Sequence, residues 1–182
     1  SNTISHITAT TSSSCIFGVD KSGDAITPVM MVSDKRCKSE VEEIIRSEEF
    51  VRGEKKHSYK CSTSSTIPKI LWYKNNKPEV FSKSNKFIGA GEFIHHFFTG
   101  EYVTDALNAG KAFYNGKEYD SDIFKRFDLK TELLPSVVEI GADFRLDKDV
   151  ISTYNFSKDC LLIITTYDAI CAVIGSYDGS NN

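Results

Sequence analysis

The sequence has no apolar run approaching the roughly 18–20 residues a helix needs to cross a bilayer, and its start has no basic stretch leading into an apolar core. A soluble, cytoplasmic protein with no membrane partner is the expectation. It also lacks an excess of either charge. Lys and Arg number 22 against 25 Asp and Glu, a net charge of −3, which disfavours nucleic acid, because binders of phosphate backbones carry a basic surplus. No Cys-x-x-Cys pair occurs among the five cysteines, Cys15, Cys37, Cys61, Cys160 and Cys171. An odd, widely spaced set excludes a disulfide framework and suits a reducing compartment. There is no internal repeat, no loop ending in Gly-Lys-Ser/Thr, and no His/Cys/carboxylate set at metal spacing, so no cofactor and no metal are expected.

At 182 residues, 40% hydrophobic and 26% charged, the chain suits one globular domain, 1–182, with a Ser/Thr-rich N-terminal segment, 1–14, set apart from it. Cys15 to Val19, the polar turn around Gly23 and Ala25 to Val32 read as a hairpin. Ser39 and Glu42 have capping-box spacing before an apolar helical face at Val41, Ile44 and Ile45, with Gly53 as the stop. A polar loop follows to Thr66. Ile70–Tyr73 and Val80–Phe81, flanking Asn75-Asn76-Lys77-Pro78, read as a second hairpin. Phe93, Ile94, Phe97 and Phe98 recur at helical spacing up to Gly100, and a further helix is expected from Thr104, as N-cap, to about Phe113. Leu161–Ile164 and Ile170–Ile174 read as central strands, with Ile163, Ile164, Val173 and Ile174 at the centre of the core. The fold class is therefore α+β, an antiparallel or mixed sheet with helices on its faces.

Few residues carry legible chemistry. His95 and His96 are adjacent, so on a helix they point about 100° apart and cannot chelate one ion together. His57 and Cys61 lie four apart in a lysine-rich loop, an electropositive setting that lowers a thiol pKa; Cys61 is expected to be accessible, Cys160 and Cys171 buried and slow to react. Gly89-Ala90-Gly91 lies between a strand and a helix, where backbone N–H groups can receive an anion. Its structural reading is a tight turn that aims Phe93 and Phe97 at the sheet, where a side chain would meet two costs, loss of close backbone approach and, if that geometry is present, positive φ.

Ile70–Tyr73, the Asn75-Asn76-Lys77 turn, Lys86 to Phe93, and the Asp105-Ala106, Ala109 and Ala112 spacing together resemble the middle of a proteasome-like N-terminal-nucleophile hydrolase. That resemblance implies a four-layer αββα sandwich. It also implies a nucleophile at Ser14 or Cys15 once the preceding residues are removed, with Asp34 of Asp34-Lys35-Arg36 in the supporting acidic position. With no triad, metal set or phosphate loop legible, the reading adopted is an interaction or assembly protein whose 12 Phe, 8 Tyr and 1 Trp offer anchors to a protein partner or a second copy of itself. The hydrolase, active or degenerate, is the alternative.

Overall fold

The computed structural model describes residues 4–53 and 60–177. Its regular elements are short. Strand β1 (His6–Thr8) pairs in parallel with β7 (Leu161–Ile163), which pairs antiparallel with β6 (Asp143–Arg145). Strand β2 (Phe17–Val19) runs antiparallel to β3 (Lys86–Ile88), and β4 (Val103–Asp105) runs parallel to β5 (Ser136–Val138). Around these small sheets sit α1 (Lys38–Arg46), α2 (Glu48–Gly53), α3 (Thr66–Asn76), α4 (Pro78–Lys83), α5 (Ala90–Thr99), α6 (Ala106–Ala109), α7 (Ser121–Arg126), α8 (Lys148–Tyr154) and α9 (Asp168–Ser176). The fold is mixed α+β, as the composition and pattern implied. Among the described residues a four-layer sandwich is not formed, because the strands are three residues long and divide into three separate sheets. Among the described residues no helix is long and apolar enough to cross a membrane.

Two expected hairpin or strand segments are helices. Ile70–Tyr73 lies in α3, where Ile67, Ile70, Leu71 and Tyr73 are all buried. Pro68 fits its first turn because the N–H it lacks would have had no intrahelical partner there. Asn75 and Asn76 end α3, Lys77 alone separates the two helices, and Pro78 opens α4 at the position where its fixed φ is already helical. Ile170–Ile174 lies in α9, and Val173 and Ile174 are 66% and 67% exposed. A run of four or five apolar residues suits either a buried strand or a helix, and only its surroundings decide.

Among the described residues the core forms three clusters. The largest packs α1, α2 and α3 against Met30, Phe113, Ile123, Phe124 and Leu134. A second gathers Val103, Leu146, Cys160, Leu162 and Ile164 around β7, and a small third joins Phe17, Val19 and Ile88 across β2 and β3. Caps also differ from expectation. Helix α1 is preceded by Cys37, and Ser39 bonds Glu40 (2.9 Å) with no capping box. The cap of α6 is Asp105, one residue past Thr104.

These burials give opposite expectations for two apolar residues near the end of the chain. Leu162→Ala, in the second cluster, should destabilise by about 2–5 kcal/mol, whereas Ile174→Ser on the open face of α9 should change stability by less than about 0.5 kcal/mol. Chemical denaturation of both variants checks this; equal losses would place α9 in the core after all.

Candidate active site

Four stretches of chain form most of the lining of a cleft. One wall is the loop after β1, with Thr11, Ser12, Ser13, Ser14 and Cys15; a second is the start of α5, with Gly89, Gly91, Glu92 and His95. The end of β4, α6 and the turn after it contribute Thr104, Asp105, Asn108 and Lys111, and the β7–α9 connection contributes Thr165, Thr166 and Tyr167. The first and last of these are tied together, Thr10 Oγ1 donating to the Thr166 carbonyl (2.8 Å) and the Asp168 N–H to the Thr11 carbonyl (3.1 Å).

Asp105 sits where a strand turns directly into a helix and is only 1% exposed. Its Oδ1 accepts from the Leu107 and Asn108 N–H groups (2.9 and 3.3 Å) and from Thr166 Oγ1 (3.0 Å). Oδ2 accepts from Asn108 Nδ2 at 2.6 Å and has no second partner among the described residues. A carboxylate oxygen offers about two lone-pair sites, so one at Oδ2 is left without a partner among the described residues. Beside it Glu92 is held in place, Oε2 accepting from the Gly89 N–H (2.9 Å) and Oε1 from Thr104 Oγ1 (2.6 Å).

Gly89 and Gly91 do line the cleft, and of the two expected reasons for glycine, positive φ and close approach, only close approach applies. Gly89 has φ −92°, so no left-handed geometry is involved. A Cβ there would stand 3.0 Å from the Cys15 carbonyl oxygen and 2.7 Å from Glu92 Oε2, so close approach is what excludes a side chain. At Gly91 the neighbour is Thr11 Oγ1, at 3.2 Å. Phe93 and Phe97 are exposed, and the residue that α5 buries is His95.

Ser14 and Cys15 are brought to the cleft and are buried, Ser14 with a left-handed φ of +64°. Asp34 is not among the lining residues; it forms an ion pair with Arg36 at 2.8 Å in a turn. His57 lies outside the described residues. Cys61, expected in an open basic loop, is buried in the largest cluster. Burial, with the nearby Cys37 thiol adding, pushes its pKa up to about 12, the reverse of an activated thiol. Cys160 is buried as expected, while Cys171 is half-buried and its thiol pKa is lowered, first by its hydrogen bond with Thr165. Among the described residues no cluster of three His, Cys, Asp or Glu could hold a metal ion.

The model of the FGGY family of carbohydrate kinases, N-terminal domain, matches residues 1–175. The chain belongs to that family. Among the curated relatives of this FGGY chain, the L-fuculokinase of Escherichia coli K12 is 24% identical over 126 residues, 68% of this chain and 27% of the relative. The xylulose kinase of Lactococcus lactis is 29% identical over 77 residues, 41% of this chain and 15% of the relative. Of solved structures, gluconate kinase from Lactobacillus acidophilus superposes with a TM-score of 0.82 at 23% identity, covering 93% of this chain and 35% of that one. Xylulose kinase from the same organism gives 0.81 at 23%, covering 96% and 36%. The FGGY chain thus spans about a quarter of the first curated relative and about a third of these structures.

Family membership overturns both functional readings made from the sequence. The resemblance to a proteasome-like hydrolase rested on a strand-and-hairpin at Ile70–Phe81, which is helix–break–helix, and with it go the nucleophile roles of Ser14 and Cys15 and the supporting role of Asp34. The interaction-protein reading rested on the absence of a legible site. Asp105 was visible only as part of an alanine spacing. The usable signal was Asp-x-x-Asn directly after Val103-Thr104, the sequence of a self-capping strand-to-helix turn.

The corrected state of Cys61 has a measurable consequence. Its folded pKa lies above the free value of 9.0, so it contributes stability that is fully present below pH 9 and is lost as pH rises toward about 12. Melting temperature should therefore fall over that range, less steeply in Cys61→Ala than in the parent protein. Native-state labelling should leave Cys61 unmodified while Cys171 reacts; rapid labelling of Cys61 would contradict the burial.

Proposed function

We propose that this domain holds a small sugar or polyol in the cleft and that Asp105 takes the proton from the hydroxyl that is phosphorylated. The observation that carries the reading is a buried carboxylate in the cleft wall, fixed at Oδ1 by three donors and left with an open lone pair at Oδ2. Family membership and the relatives' names, L-fuculokinase, xylulose kinase and ribulokinase, support a carbohydrate acceptor.

A hydroxyl is a weak nucleophile, and a positioned base is worth about 10²–10⁴-fold in rate. Asp105 Oδ2 accepts the hydroxyl proton as the substrate oxygen forms its bond to the terminal phosphorus of a nucleoside triphosphate. The bond from that phosphorus to its bridging oxygen breaks, and a nucleoside diphosphate leaves. Asn108 and Thr166 prevent the carboxylate from rotating away, which keeps the hydroxyl aligned for in-line attack. Glu92, the Ser12 and Ser13 hydroxyls and the Thr165 side chain offer the polar contacts that a polyhydroxylated substrate needs. Lys111 lines the same wall, its ammonium 5.5 Å from the centre of the Tyr167 ring, and is a cation suited to the charge on transferred phosphoryl oxygens. A cytoplasmic, reducing setting agrees with five free cysteines.

Asp105→Asn tests the assignment, because the amide oxygen can still cap α6 while the side chain no longer accepts a proton. In the whole protein carrying this domain, sugar-dependent release of nucleoside diphosphate should fall by about 10²–10⁴ in kcat with the circular-dichroism melt little changed. A kcat within tenfold of the parent, in a folded variant, would remove Asp105 from the role of base.

A further inference from the structure

Away from the cleft, four lysines line a second groove: Lys21 from the turn after β2, Lys83 from the last turn of α4, Lys86 from β3, and Lys130 just before the short turn Thr131–Leu133. No residue lines both groove and cleft. Four ammonium groups here stand against one carboxylate, that of Glu132, in a chain whose net charge is −3. None of the four forms an ion pair among the described residues. Lys21, Lys83 and Lys130 are exposed, and Lys86 is half-buried. Its ammonium donates to the carbonyls of Glu132 (2.8 Å) and Leu134 (3.1 Å), the first an exposed contact beside the groove. An ammonium has three N–H donors, so one is left without a partner among the described residues. Burial lowers the Lys86 pKa while Glu132 acts in the opposite sense, and a neighbouring anion offsets that cost of burial.

We propose that this groove is a second binding site, which takes a compact phosphoryl dianion, either free phosphate or the phosphate group of a small ester, between Lys86 and the exposed lysines around it. The lining contains no arginine, whose planar fork matches a carboxylate; lysine acts as a point charge and suits phosphoryl oxygens that accept from several directions. The Ser82 and Ser84 hydroxyls already donate to the Glu79 and Val80 carbonyls (2.9 and 3.0 Å), so recognition falls to the ammonium groups and the exposed Asn85 amide. A nucleic-acid backbone needs a longer basic track, and here Asp20 and Asp24 close the turn that carries Lys21. Lys86, held by two carbonyls, fixes the position of the anion, and the exposed lysines order around it. The site rests on no residue of the cleft and does not depend on the carbohydrate reading.

The experiment titrates the whole protein carrying this domain with inorganic phosphate and with glycerol 3-phosphate, by calorimetry without nucleotide or sugar, and locates the bound anion by hydrogen–deuterium exchange. The expected result is binding in the millimolar range or tighter that weakens as sodium chloride is added, with slower exchange over residues 82–86 and 130–133. Tighter glycerol 3-phosphate assigns an ester; equal or tighter phosphate assigns the free ion. Lys83→Gln combined with Lys130→Gln should weaken this binding about tenfold with the thermal melt little changed, because both side chains are exposed. Lys111→Gln, in the cleft, should leave binding at the groove as it is. The proposal is overturned if neither anion binds, if only a long polyanion such as heparin does, or if the slowed exchange lies at the cleft and the Lys111 variant alone loses binding. The exchange measurement is made on the parent protein, so it decides the matter even where a variant fails to fold.

Discussion

The carboxylate of Asp105 is the group on which the arrangement of the cleft depends. A buried negative charge is tolerated only when the protein itself supplies the hydrogen bonds that water would have made. Here the donors come from two places, the first turn of α6 and Thr166, 61 residues away in the chain. One side chain therefore caps a helix, fixes the end of β4 and holds the β7–α9 connection against it. Thr10 and Thr11 then bind that connection to the loop after β1. Walls from three distant parts of the sequence are held together by bonds that lead back to the proposed base.

Lys69 is the counterpart of this arrangement on the other side of the first wall. It is a fully buried lysine on α3, and its ammonium donates to the carbonyls of Ser14 and Met31, the latter at 3.0 Å. Burial lowers its pKa, while Cys37, Cys15 and Asp34 act in the opposite sense. A left-handed serine costs about 1–2 kcal/mol relative to ordinary backbone, and the Lys69 contact to the Ser14 carbonyl helps offset it. A single ammonium thus connects the helical cluster to the loop that lines the cleft, so mutations in α3 should be felt in the cleft through Ser14.

Much of the local structure was legible where one residue type has one use. Gly100 ends α5 in the left-handed conformation expected of a stop, Gly23 has the positive φ its turn requires, and Leu161–Ile163 is a strand. The errors at Ile70–Tyr73 and Ile170–Ile174 share a cause. Strands of three residues leave too few positions for a period of two to show, so short apolar runs look alike whether they become strand or helix. The site was harder to read, because Asp105 looks like any N-cap until Thr166 is beside it, and Lys69 like any surface lysine until α3 is known to be buried along most of its length. His95 drew notice for the wrong reason, as half of an adjacent pair, whereas His96 stacks on Tyr102 with ring centres 3.8 Å apart.

The cleft also has an uneven rigidity that suits its proposed task. At its base Asp105 is held through both oxygens, Glu92 through both of its own, and His95 through Nδ1. At its rim Ser12 is exposed and Ser13 half-buried, and the Ser13 hydroxyl is 3.4 Å from that of Ser14. Small hydroxyls on a loop can turn to either donate or accept, so the rim can adapt to the stereochemistry of a polyol while the base cannot. Phosphoryl transfer needs one hydroxyl aligned closely and tolerates variety in the others. Fixed acceptors below and adjustable hydroxyls above would let one scaffold serve acceptors that differ in configuration away from the reacting carbon.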